Sequence, residues 1–323
     1  MNTKYELTAE TKTVYGVKLF QIKARISFGS VKEGELGGFV EKEANLSELG
    51  TAWVYGDAQV SGNAWVYGDA RVSGNARVSG NAWVSGNARV SGNARVSGNA
   101  WVSGDAQVSG NARVYGDAQV SGNARVYGDA RVSGDAQVSG DAQVYGDAQV
   151  SGNAWVYGDA QVSGNARVYG NAQVYGDAQV YGDAQVYAKA YLQFGKTNFD
   201  IKKNLSSVIK NSLGVAVCRG RVLLYKKVNK TDRADVFKSL RDFRFEYKVG
   251  DTASAVDTDE NWDESCTRGL HCSTAIYWPE GDTLIAVEVN VEDIICCQEG
   301  KIRCRKLKVL GVVNELDFSG GLG

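Results

Sequence analysis

The sequence predicts a mainly β protein: a three-sided parallel β-helix behind an N-terminal β cap, followed by a small C-terminal α+β domain. From Tyr55 to Val186 the chain reads (Tyr/Ser)-Gly-(Asn/Asp)-Ala-(Arg/Gln/Trp)-Val without insertion, 22 units of six residues. Residues 55–186 contain no Lys, Glu, Leu, Ile, Phe, Cys, Met, His or Pro, and ordinary globular composition returns after them. Near the C-terminus, Leu284–Val289 and Ile302–Val313 read as strands.

Residues 1–54 are expected to cap the repeat. Phe20, Ile22 and Ile26 alternate as in a strand. Glu35 to Val40 then leads into degenerate units at Glu43-Ala-Asn-Leu46 and Thr51-Ala-Trp-Val54. A solenoid needs such a cap, because its end coil otherwise exposes an unpaired ladder edge.

Residues 55–186 are expected to form the solenoid. A helix cannot carry the pattern: six does not match a period of 3.6, and a glycine in every unit costs ~1 kcal/mol each. Disorder has no reason to keep Val and Ala in phase over 22 units. Valine suits a strand, and the alanine two positions earlier points to the same side, so both face inward. Gly-Asn and Gly-Asp supply corners, since these residues take positive φ at little cost. Three strands and three corners close one coil of 18 residues. At ~4.8 Å per coil the perfect units alone span roughly 35 Å.

Residues 18 apart should therefore stack in columns along each face. One outward column reads Trp65, Trp83, Trp101, Gln119, Gln137, Trp155, Gln173. This gathers all four tryptophans of the perfect units: as a ladder of like residues it steadies the stacked strands, and as a run of exposed aromatics it is the expected contact surface. The other columns mix Arg and Gln. Units up to Val132 carry seven Arg and five Asp, and later units one Arg and six Asp, so the repeat is weakly basic in its first half and acidic in its second. Neither half is charged enough to track nucleic acid, and the net charge of the chain is −1.

The valine–alanine repeat resembles the left-handed parallel β-helix of the hexapeptide-repeat superfamily, whose units pair an aliphatic with a small residue four later. Glycine here follows valine by two positions rather than one. The resemblance implies a left-handed coil and side-by-side assembly into homo-oligomers, commonly trimers. Enzymes of that superfamily are mostly acyltransferases with a catalytic histidine or carbonic anhydrases with three zinc histidines. With no His, Cys or Glu in residues 55–186, this repeat has neither chemistry.

Residues 187–210 read as a cap and connector, and 211–323 as the α+β domain. Val215–Cys218 and Val222–Val228, split by Arg219-Gly-Arg221, are expected to form a hairpin. Asp235–Phe243 is expected to be a short helix. Cys218, Cys266, Cys272, Cys296, Cys297 and Cys304 show no Cys-x-x-Cys spacing, so buried free thiols are expected rather than a metal site. Residues 1–16 lack the basic start and apolar run of a signal peptide, and no stretch approaches the roughly 18 apolar residues of a membrane span. A cytoplasmic setting without membrane partners is expected.

Leu36-Gly-Gly-Phe-Val-Glu41, Val222–Val228, Ser265–His271, and Val291–Ile295 through Cys304-Arg305 resemble uncharacterised proteins of tailed phages and prophages. The resemblance implies a protein of the virion or the host cytoplasm, with a phage or host protein as partner, and brings no activity with it. Arg268-Gly-Leu-His-Cys-Ser-Thr274, followed by Tyr277, is similar to the NAD-binding strand of ADP-ribosyltransferase folds. That likeness implies a nucleotide pocket at His271, Ser273, Thr274 and Tyr277, with NAD as cofactor. His271 and Ser273 would hold the nicotinamide ribose and Glu299 would orient the acceptor. The leading reading is a non-enzymatic structural or interaction protein. The alternative is a host-modulating, anti-defence effector whose C-terminal domain handles NAD or ADP-ribose.

Overall fold

The computed structural model describes residues 2–262, 264 and 267–313. Ser265 and Cys266 of the C-terminal motif, and residues 314–323 of the expected α+β domain, lie outside the described residues. The chain is mainly β. It forms two compact units that divide between Tyr187 and Ala188. The first is a parallel β-solenoid with its cap, and the second an antiparallel sheet. Among the described residues, no helix is long and apolar enough to cross a membrane.

The cap begins with the antiparallel pair β1 (Tyr5–Val14) and β2 (Val17–Ala24). Tyr15 and Gly16 between them both take positive φ, 51° and 80°, as a two-residue turn matched to strand twist requires. Leu19, Ile22 and Ala24 are buried, whereas Ile26 lies beyond the strand and is 48% exposed. The expected alternation thus ends at Ala24, where the chain turns away. β3 (Leu36–Val40) pairs antiparallel with β2 and, on its other edge, parallel with Gln59-Val60. It converts one pairing mode into the other and covers the ladder edge.

The degenerate units form a first coil. Val40, Leu46 and Val54 lie beneath Val60, Val66 and Val72. The Ser47 amide donates to Val66 O and Gly50 abuts Gly68, so Glu48 and Leu49 are the two extra residues of this coil. Leu49 projects outward at 81% exposure. Trp53 is fully buried, its ring edge-on to Tyr5 (6.2 Å) and Phe28 (5.4 Å).

Every perfect unit then supplies one two-residue strand, the outward residue followed by valine. Up to Val168, each of these valines pairs in parallel with the valine 18 residues on, as Val60 with Val78 and Val66 with Val84. Three strands per coil stack into three sheets, and the solenoid makes about nine turns in all. The Trp65 amide donates to Ala82 O (2.9 Å) and the Tyr67 amide to Val84 O (3.0 Å), a pattern repeated along the ladder. Valines and alanines of the repeat are at most 1% exposed, so each coil buries three valines at roughly 1.5 kcal/mol apiece.

The corners show why glycine recurs. At Gly98, φ is +73° and a Cβ would lie 2.9 Å from the Gly116 nitrogen. Asparagine at the next slot bridges coils: Asn81 Nδ2 donates to Asn99 Oδ1 (3.0 Å), and Asn99 Nδ2 to Asp117 Oδ1 (2.8 Å).

The second unit holds α1 (Leu205–Leu213), capped by Asn204, whose side chain accepts from the Ser207 amide, and closed by Gly214 at φ 69°. Val208 and Ile209 face inward. Asn211 is buried as well; its carbonyl accepts from the Gln193 and Phe194 amides (2.9 and 3.0 Å), tying the segment before the helix to it.

Nine strands make the sheet. They are β4 (Arg221–Lys230), β5 (Val236–Lys238), β6 (Glu246–Lys248), β7 (Thr252–Ser254), β8 (Leu270–Ser273), β9 (Thr283–Asn290), β10 (Ile294–Gln298), β11 (Lys301–Cys304) and β12 (Lys306–Val312). The order is β7-β12-β9-β4-β8-β11-β10, with β5 joining β4 to β6.

Three expectations change here. The helix expected over Asp235–Phe243 is absent. Asp235 takes positive φ (61°), and Val236 and Phe237 bury as a short strand. The hairpin expected before β4 shrinks to an isolated Cys218–Arg221 bridge, because β4 pairs instead along its length with β9, from Arg221–Asn290 to Val228–Thr283. The run 302–313 is two strands: β11 pairs with β8 and β12 with β9, parting at Arg305.

Candidate functional site

The tryptophan column forms as the 18-residue spacing requires. Trp65 pairs with Trp83 and Trp83 with Trp101, while Trp155 lies between Gln137 and Gln173. Their neighbouring valines point inward, so the indoles point out, with Trp65, Trp83, Trp101 and Trp155 exposed by 38, 36, 46 and 43%. Trp83 and Trp101 stack in parallel, centroids 4.9 Å apart at 7°. Trp65 stands nearly perpendicular to Trp83 (5.9 Å, 88°) and stacks instead on Tyr67 (4.2 Å, 24°).

Tyr67 is therefore part of the patch, and column reasoning missed it. It occupies a corner slot, two residues past Trp65, and reaches the face only because the corner folds its ring back. Such stacked pairs contribute about 0.5–1.5 kcal/mol beyond their burial. They also restrict the orientation of the rings.

The sheet domain places the residues of the other expected site around the β10–β11 turn. In the β8–β11 pairing His271 lies opposite Arg303 and Ser273 opposite Lys301. Ser273 is fully buried, and its hydroxyl donates to Gly300 O. Glu299 occupies the turn at φ 50°, its carboxylate 3.4 Å from Lys189 Nζ and 3.5 Å from Lys301 Nζ. Thr274 opens the short 3-10 turn Ala275–Tyr277, and Tyr277 packs edge-on to Trp278 at 5.1 Å. The ring of Tyr277 lies 6.0 Å from Lys301 Nζ. Ser273, Tyr277 and Glu299 are thus brought together about Gly300. The serine hydroxyl is engaged by the backbone and the glutamate is balanced by two lysines. A concavity of about 190 Å³ in this unit lies elsewhere, lined by residues that include Arg221, Thr252, Glu288 and Lys308.

Lys226 is the titratable group that sequence reasoning passed over. It is 8% exposed, and its Nζ donates to His271 O (2.9 Å) and lies 5.4 and 5.2 Å from the Tyr247 and Trp278 rings. Burial lowers its pKa from 10.5 to about 8. A signal existed: Val222, Leu224, Lys226 and Val228 share the inward phase of β4.

Cys272, Cys296, Cys297 and Cys304 are buried and Cys218 is exposed. Burial pushes the Cys297 thiol up to about 12, and a hydrogen bond with Cys272 raises Cys304 well above the ordinary thiol range. Among the described residues no three His, Cys, Asp or Glu side chains converge as metal ligands.

A protein-family model, the YdcK beta solenoid repeat, matches eight stretches of the chain: residues 58–73, 70–86, 88–104, 106–122, 118–134, 124–140, 142–158 and 160–176. All fall in the repeat, so the sequence match and the fold agree that this is a β-solenoid repeat protein. No curated protein matches the chain.

Proposed function

We propose that the chain is a non-enzymatic interaction protein whose solenoid is a rigid scaffold and whose tryptophan column is the contact surface. The observation that carries this reading is the run of exposed indoles on consecutive coils, Trp65, Trp83 and Trp101, with Tyr67 stacked on the first. Clustered exposed aromatics on a flat, preorganised sheet are costly to leave in water and typical of an interface core. A second copy is the simplest partner, since a straight ladder can lie against an identical ladder. Side-by-side homo-oligomers, trimers among them, fit this reading. The likeness of Leu36–Glu41 to phage proteins supports a phage or host protein as the further partner.

The test replaces Trp65, Trp83 and Trp101 together with Gln, the residue already at positions 119, 137 and 173 of the same column. The variant should keep its β-solenoid circular dichroism and lose oligomer mass in light scattering. An unchanged mass would refute self-association through this column.

A further inference from the structure

We propose that the base of the solenoid carries an oxyanion-binding site, formed by Arg71, Arg89, Ser73 and Ser91 beneath Ser30 and Tyr55, which takes a phosphate or sulfate group. These six residues line a concavity of about 360 Å³. Arg71 and Arg89 are register partners on adjacent coils, and Ser73 and Ser91 follow them on the same two coils. Their guanidiniums spring from backbones ~4.8 Å apart. Ser30 comes from the cap, from the loop closed by the Phe28–Val31 bridge, and its hydroxyl lies 3.3 Å from that of Tyr55.

Charge balance points to an anion. Among the described residues neither Arg71 nor Arg89 forms an ion pair. Asp69, two residues before Arg71, accepts from the Thr51 amide (3.0 Å) and hydroxyl (2.7 Å) and meets Arg71 only as a nearby charge, and Asp57 lies 3.6 Å from Lys12 Nζ. Two unpaired guanidiniums with hydroxyl donors beside them match a tetrahedral dianion, which arginine recognises through paired, charge-assisted hydrogen bonds. The like set on another face, Arg77, Arg95, Ser79 and Ser97, differs in that Arg77 Nη1 donates to the Tyr15 hydroxyl (3.1 Å). Higher in the same columns the arginine slot becomes Gln107, Arg125 and Gln143, and the serine slot becomes Ser109, Tyr127 and Tyr145. Two consecutive arginines beside two consecutive serines occur in these columns only at the base.

Binding of inorganic phosphate, sulfate and phenyl phosphate to the full chain can be measured by calorimetry, with chloride at matched ionic strength as reference. Saturable one-to-one binding is expected. Preference for inorganic phosphate would indicate a free ion as ligand, and preference for phenyl phosphate a phosphorylated partner. Glutamine occupies the arginine slot elsewhere in the column, so Arg71→Gln/Arg89→Gln should fold normally while weakening binding about tenfold or more for each guanidinium removed. Arg113→Gln/Arg131→Gln removes two equally stacked arginines from another face and should leave the affinity within about twofold. Absence of saturable binding, or equal loss in both double variants, would overturn the site.

Discussion

Val102 offers the sharpest test of which side of the ladder is the interior. It lies between Val84 and Val120 in the stacked core and is fully buried. Val102→Asp forfeits roughly 2 kcal/mol of apolar transfer. It also strands a carboxyl without a partner, which costs roughly 2–7 kcal/mol even when protonated. A loss on the order of 5 kcal/mol or more is a large share of the 5–15 kcal/mol typical of a folded domain. Each coil contacts only its neighbours, so the damage should centre on the coils around residue 102. Gln143→Glu, on the outer face, keeps an oxygen to accept the Tyr127 hydroxyl (3.3 Å) and should change stability by no more than about 0.5 kcal/mol. Thermal melts followed by circular dichroism, with hydrogen exchange on peptides spanning residues 84–120, separate the two variants. The introduced carboxyl would also have a folded pKa above its unfolded value near 3.9. The destabilisation should therefore grow as pH rises above about 4. Equal melting temperatures for the two variants would refute the inside–outside assignment.

Two further outcomes concern the sheet domain. Lys226 holds its proton less tightly folded than unfolded, so between about pH 8 and 10.5 the unfolded chain binds more protons and stability rises with pH. The penalty is present in full below pH 8 and worth on the order of 3 kcal/mol. Lys226→Met removes it, so the stability difference, variant minus wild type, should fall by that amount across the window; a constant difference would refute the buried ammonium. In native protein, iodoacetamide should modify exposed Cys218 while sparing Cys272, Cys296, Cys297 and Cys304, as read by mass spectrometry. Labelling of Cys297 as fast as Cys218 would contradict its placement in β10.

The solenoid was legible in the sequence because its long-range contacts occur at one fixed separation. Once Val and Ala are assigned to the interior, an offset of 18 decides which residues touch. The Trp65–Trp83–Trp101 column and the Arg77–Arg95–Arg113–Arg131 column follow by counting, and both are in register in the structure. Val40 and Leu46, 20 residues below their partners, show the limit of counting, since the insertion at Glu48-Leu49 shifts the offset. In the sheet domain no such constant exists. The pairing of β4 with β9 joins residues about 55–70 apart, and it overrode the nearer hairpin because eight consecutive residue pairs bury more than a short arm can. Local preference likewise suggested a helix at Asp235–Phe243, whereas burial of Val236 and Phe237 decided for a strand.

For the sites, the sequence by itself determined which residues stand outside the solenoid and in what order. Only the tertiary structure decided that Tyr67 folds back onto Trp65, that a cap loop brings Ser30 over Arg71 and Arg89, and that the Ser273 hydroxyl is engaged by Gly300. Each of these depends on a corner, a loop or a turn, where side-chain direction is set by backbone torsions and distant packing rather than by the period of the chain.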